Sequence, residues 1–114
     1  MYRNITSLKK RRQFLDLRKK GQSIRSKFFI FNFAKNSIIS PTKTSRIGIT
    51  VSKKSGNAVM RNYIKRVIKA FVNQNKSLIP LGFDIEIIPK TTFLKFKVND
   101  IHNDLLNFQS TVLK

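Results

Sequence analysis

The sequence predicts a single α+β domain, and three observations lead there. Stretches whose apolar residues step by three and four are interspersed with stretches that alternate apolar and polar residues, the periods of helix and strand. The length, 114 residues, suits one domain spanning 1–114. A hydrophobic content of 40%, with ten Phe, is enough to close one core.

From Lys9 to Lys20 the chain is strongly charged, with Phe14, Leu15 and Leu17 as its apolar members. Gly21 stands where a helix ends on a left-handed residue, so a short helix is expected. Ser26 to Ala34 (SKFFIFNFA) sets Phe29, Phe31 and Phe33 on one side and Phe28, Ile30 and Asn32 on the other. Both rows are rich in strand formers. Asn36 to Ser45, polar and holding Pro41, reads as a surface loop.

Arg46 to Ser52 alternates cleanly, with Ile47, Ile49 and Val51 opposed to Gly48, Thr50 and Ser52. The second row is small and polar, which suits a floor approached by another group. A long helix is expected over Ala58 to Asn75, with Asn57 as its N-cap. Met60, Ile64, Val67 and Phe71, joined by Ile68, form its buried stripe. Pro80 and Gly82 bracket a turn, and Phe83 to Ile88 alternates again, with Asp84 and Glu86 on the solvent side and Pro89 closing the strand. Leu94, Val98, Ile101, Leu105, Phe108 and Val112 describe a terminal amphipathic helix capped by Thr91 or Thr92. The expected order is therefore α-β-β-α-β-α.

Charge narrows the function. The chain has 24 Lys and Arg against 5 Asp and Glu, a net charge of +19. Folding does not need this excess, and self-repulsion makes it costly unless a polyanion offsets it. Residues 1–80 carry 20 of the basic residues and one acid, Asp16. Nucleic acid is the first candidate partner. The chain has no Cys, which leaves neither a disulfide framework nor a thiolate metal site. No stretch reaches the ~18 apolar residues of a membrane span. A cytoplasmic protein without a membrane partner is expected.

Catalytic groups are scarce. His102 lies between Asp100 and Asp104, but residues two apart on a helix do not face each other. Asp84 and Glu86 share a strand face and could hold a divalent ion, although the plainer reading is a solvated strand face. Gly48 and Gly56 stand alone, so no phosphate loop is present.

The concentrated signal is basic. Arg61, Lys65 and Lys69 recur every four residues along the long helix, flanked by Asn62 and Arg66, with Lys53 and Lys54 on the turn before it. Like charges at that spacing weaken an isolated helix by about 0.2–0.5 kcal/mol per pair. Helix stability therefore does not explain them. Free N–H groups at a helix start, mobile lysines and forked guanidinium groups together suit phosphate.

The block VSKKSGNAVMRNYIKRVI, Val51 to Ile68, closely resembles the signature of the ribonuclease P protein family. The resemblance extends to LKKRRQFLDLRKKGQS (Leu8 to Ser23), to the IIPK that closes the third strand and to the terminal helix, nearly the whole chain. It implies a four-stranded sheet with a left-handed β-α-β crossover, where right-handed connections are the general rule. It also implies an accessory subunit of an endoribonuclease, whose catalytic RNA removes the 5′ leader of precursor tRNA with Mg²⁺. No cofactor on the protein, no catalytic side chain and no obligate protein partner are expected.

By the same resemblance, Arg61, Asn62, Lys65 and Arg66, with Lys53, Lys54 and Lys69 beside them, would contact ribonuclease P RNA. A leader-binding cleft would include Phe14, Arg18, Phe31, Asn32, Thr50, Ser52 and Lys90. Phe14 matches an aromatic position of the family, whereas Arg18 and Asn32 stand where aromatics are common. Three alternatives stay open: Phe14 as an ordinary core residue, a ribosomal-type basic RNA-binding protein, and a nuclease working through Asp84, Glu86 or His102.

Overall fold

The Phe-rich and Ile-rich alternating segments need a surface to pack on, and in the computed structural model a mixed sheet provides it. The structure describes residues 4–36, 44–91 and 97–113. The elements are β1 (Asn4–Ser7), α1 (Arg11–Lys20), β2 (Gln22–Arg25), β3 (Phe29–Lys35), β4 (Thr44–Ile49), α2 (Ala58–Gln74), β5 (Phe83–Pro89) and α3 (Val98–Val112). The sheet order is β1-β4-β5-β3-β2. β4 runs parallel to both β1 and β5, while β3 is antiparallel to both β5 and β2. The link from β4 through α2 to β5 is thus a crossover between neighbouring parallel strands.

Five strands replace the four implied by the resemblance and the three legible from alternation. The two extra ones, β1 and β2, are four-residue strands at the sheet edges. They are too short to show a period, and Gln22, Ser23 and Arg25 of β2 are exposed. The loop expected from Asn36 to Ser45 gives up Thr44 and Ser45 to β4, and residues 37–43 lie outside the described residues.

One sheet face is the core. Phe29, Phe31 and Phe33 of β3 and Ile85 and Ile87 of β5 share it with Ile64, Ile68 and Val72 of α2 and Ile101, Leu105 and Phe108 of α3. Phe31 is completely buried and stacks on Phe108, ring centroids 4.4 Å apart. The α2 stripe starts one turn later than expected: Met60 is exposed, Val67 and Phe71 are half-buried, and the packing row is Ile64, Ile68, Val72. The expected N-cap is present, with Asn57 Oδ1 accepting from Met60 N at 3.0 Å. α3 starts at Val98, and its first turn is held by Asp100, whose side chain accepts from Lys97 N at 3.2 Å. Thr91 is therefore not its cap, and Thr92 and Leu94 lie outside the described residues.

The other face receives α1. Gln13 Oε1 accepts from Lys9 N and Lys10 N at 3.1 and 3.0 Å, so the helix begins at Arg11, two residues later than expected. Gly21 ends it in extended rather than left-handed backbone, φ −85° and ψ −178°. Close approach explains the glycine instead: a Cβ there would lie 2.6 Å from the Leu17 carbonyl oxygen and 2.7 Å from that of Phe33.

Candidate nucleic-acid interface

The small polar row of β4 is the floor of the site. A methyl group added at Gly48 would lie against Cε1 and Cζ of the Phe14 ring, too close for any side chain there. Gly48 is therefore what lets the first helix bring its aromatic ring into contact with the sheet. Phe14 remains half-buried and lines two depressions. The first, about 340 Å³, is formed with Lys9, Arg11, Leu15, Arg18 and Thr50. The second, about 460 Å³, follows β1 and reaches Lys65 and Lys69 of α2. Those two lysines also border a third depression, about 520 Å³, with Val59, Asn62 and Arg66. Phe14 and the two lysines thus link the α1 surface to the basic face of α2.

The expected cation set is mostly where its spacing placed it. Asn62, Lys65, Arg66 and Lys69 are exposed along one side of α2, and Arg61 is half-buried. Lys53 and Lys54 are exposed on a 3-10 turn, Lys53–Ser55, that leads into the helix. Gly56 follows with φ 138°, a conformation that side chains disfavour, and it lets the chain swing from that turn into α2. At this corner Ser55 Oγ and Arg61 Nε are buried without a hydrogen-bond partner among the described residues. Ser52 precedes the turn, and its carbonyl accepts from Ser55 N at 3.1 Å. Lys90 N donates to the Phe28 carbonyl at 2.8 Å, and Thr50 N to that of Ile87 at 3.0 Å. Both residues therefore sit at the end of the sheet where the parallel strands β4 and β5 finish.

Two residues of the expected leader cleft are elsewhere. Phe31 faces the core beneath α3, on the opposite side of the sheet from Phe14. Alternation along β3 sends Phe31 and Asn32 to opposite faces, and it is the packing of α1 over the Asn32 face that leaves Phe31 on the core side. Asn32 does face α1, but it is buried at 9% exposure, with Nδ2 donating to Glu86 Oε1 at 3.0 Å and Oδ1 accepting from Ser23 Oγ. It braces Glu86, which in turn holds the Thr50 hydroxyl of the floor.

Glu86 organises that support, and the expectation that Asp84 and Glu86 face solvent is overturned. Glu86 has 0% exposure. It accepts from Arg18 Nε at 2.9 Å, Arg18 Nη2 at 2.5 Å, Thr50 Oγ1 at 2.6 Å and Asn32 Nδ2 at 3.0 Å. Asp84 pairs with Arg46 at 2.5 Å, with its carboxylate 16% exposed. α1 and the neighbouring strands cover a face that alternation alone reads as wet. Each carboxylate thus has an arginine partner. No group of three or more metal-ligating side chains occurs among the described residues. His102 is exposed and meets Asn75 Oδ1 at 3.3 Å, while Asp104 is buried and accepts from Phe28 N at 3.0 Å.

Burial pulls the Glu86 carboxyl upward, but the hydrogen bonds from Arg18, Thr50 and Asn32 and the Arg18 charge outweigh it and hold the group below its ordinary value. A depressed folded value means that the stabilisation is complete above the unfolded carboxyl's 4.5 and is lost as pH falls through the folded value. Acid titration of the unfolding free energy should therefore show a fall below pH 4.5 that Glu86→Gln flattens; an unchanged profile would deny Glu86 this role.

Among the described residues only Arg18 and Arg46 are ion-paired, so the remaining cations of α1, the 3-10 turn and α2 are available to a polyanion. A helix-flanked sheet with a linked run of basic depressions defines a nucleic-acid-binding protein. The ribonuclease P family model matches residues 2–112. The ribonuclease P protein component of Thermotoga petrophila is 38% identical over 104 residues, 88% of this chain and 86% of that one. The solved Thermotoga maritima ribonuclease P protein superposes with TM-score 0.77 at 36% identity, over 90% of this chain and 94% of that one. The Staphylococcus aureus ribonuclease P protein does so with TM-score 0.74 at 35% identity, over 95% and 94%.

The chain belongs to the ribonuclease P protein family. It is an RNA-binding accessory subunit of that endoribonuclease, acting in tRNA processing with ribonuclease P RNA as its partner.

Proposed function

We propose that the subunit holds the single-stranded 5′ leader of precursor tRNA on the α1 side of the sheet while α2 grips ribonuclease P RNA. The observation that carries this reading is the Phe14 ring on its Gly48 floor, bordered by Lys9, Arg11 and Thr50 and linked by the β1 groove to Lys65 and Lys69. A half-buried ring can stack on any base, and the cations beside it take phosphates, so a single strand is bound without regard to sequence. Arg61, Asn62, Arg66, Lys53 and Lys54 serve the partner RNA; Thr50, Ser52 and Lys90 border the leader path. The left-handed sense of the β4–α2–β5 crossover belongs to the same proposal.

Chemistry falls to RNA-bound Mg²⁺, and the protein contributes affinity and relief of charge repulsion. It needs no second protein for this and works in the cytoplasm. The test is 5′ maturation of precursor tRNA by ribonuclease P RNA at low Mg²⁺, with and without the protein. Stimulation is expected, and its absence would overturn the reading. Phe14→Ala should weaken precursor tRNA by about 1–3 kcal/mol and leave mature tRNA unchanged. Equal losses for both would return Phe14 to the core.

A further inference from the structure

We propose that Arg18 and Glu86 form a preassembled platform on which one base of a single-stranded RNA stacks beside Phe14, with Glu86 as the positioning residue that holds the guanidinium plane. The inference rests on the leader-binding reading above and names the chemistry of one position within it.

The helix puts Phe14 and Arg18 one turn apart on the same side of α1, and both line the 340 Å³ depression. Arg18 is bound side-on through Nε and Nη2, a two-point contact that fixes the plane of the group as well as its position. The carboxylate beneath it cannot swing away. It is fully buried, and its remaining capacity is taken by Asn32 and Thr50, with Asn32 held in turn by Ser23. Even so, the Arg18 side chain stays 44% exposed, and Nη1 has no partner among the described residues.

This arrangement disposes of the charge and leaves the plane. Glu86 neutralises Arg18, which makes it a poor phosphate anchor beside Lys9 and Arg11, neither of which is ion-paired among the described residues. What remains is a flat, weakly hydrated surface with a free edge of donors, and guanidinium planes stack on unpaired bases as aromatic rings do. A free arginine loses rotamer entropy when a ligand immobilises it; here folding has already fixed the group, so the ligand loses little. Lys9 and Arg11 would take the phosphates, and Phe14 and Arg18 the bases.

The experiment uses the full chain assembled with ribonuclease P RNA, with Arg18→Lys, which keeps the charge and removes the plane. Precursor tRNA binding should weaken about tenfold, mature tRNA binding should stay unchanged, and the salt dependence should keep its slope. Precursors carrying one abasic leader nucleotide then locate the base. At one position the wild type should lose about as much as Arg18→Lys does, and combining the two should cost nothing further. Glu86→Gln should lose part of the affinity at that same position. Wild-type affinity in Arg18→Lys, or losses that add at every abasic position, would overturn the platform. A wild type that does not prefer precursor over mature tRNA would overturn the leader reading itself.

Discussion

Phe31→Ala is expected to destabilise the protein by about 4 kcal/mol, because a fully buried aromatic leaves a cavity the surrounding core cannot close. The ring stacks on Phe108 at 4.4 Å and lies 5.6 Å from Phe29, so its loss removes contacts between β3 and α3. Urea denaturation measures this directly. Under conditions where the variant is still folded, its affinities for precursor and mature tRNA should fall together or not at all. Near wild-type stability with a selective loss of precursor binding would return Phe31 to the leader path and overturn the assignment of faces.

Combining Arg61→Ala with Arg66→Ala should weaken assembly with ribonuclease P RNA by roughly a hundredfold, about 3 kcal/mol, as charge-assisted hydrogen bonds to phosphate are lost. The slope of log affinity against log salt should become shallower, by just under about one unit for each phosphate contact removed. Arg66 is exposed on α2, and Arg61 sits at the corner where its own Nε and Ser55 Oγ lack partners among the described residues. Removing these side chains takes little from the hydrophobic core, so the unfolding transition should move little. A loss of RNA affinity that merely tracks a fall in stability would make both residues structural.

The long helix shows what periodicity can reach. Its cap at Asn57, its extent and its basic row follow from residue types at fixed spacing, because a helix is held by contacts three and four residues apart. The same reasoning read Gly48, Thr50 and Ser52 as a floor, and Phe14 lies on Gly48. It failed where partners are distant in the chain. Asp84 and Glu86 alternate with Ile85 and Ile87 as solvated strand residues do, yet α1 arrives some 70 residues earlier in the sequence to cover Glu86, at a separation of 68 from Arg18. One signal was available: Arg18 follows Phe14 by one turn, and a buried-face carboxylate opposite Asn32 is the partner such an arginine requires.

The sequence by itself determined the α+β class, the basic character, the position of the cation row and, through the Val51 to Ile68 block, the family. These rest on local period and composition, which need no knowledge of the fold. Only the tertiary structure decided that Phe31 and Phe14 lie on opposite sides of the sheet, that two four-residue edge strands complete it and that Glu86 is buried under Arg18. Each of these depends on which face a helix covers, and that is set by the packing of segments far apart in the chain.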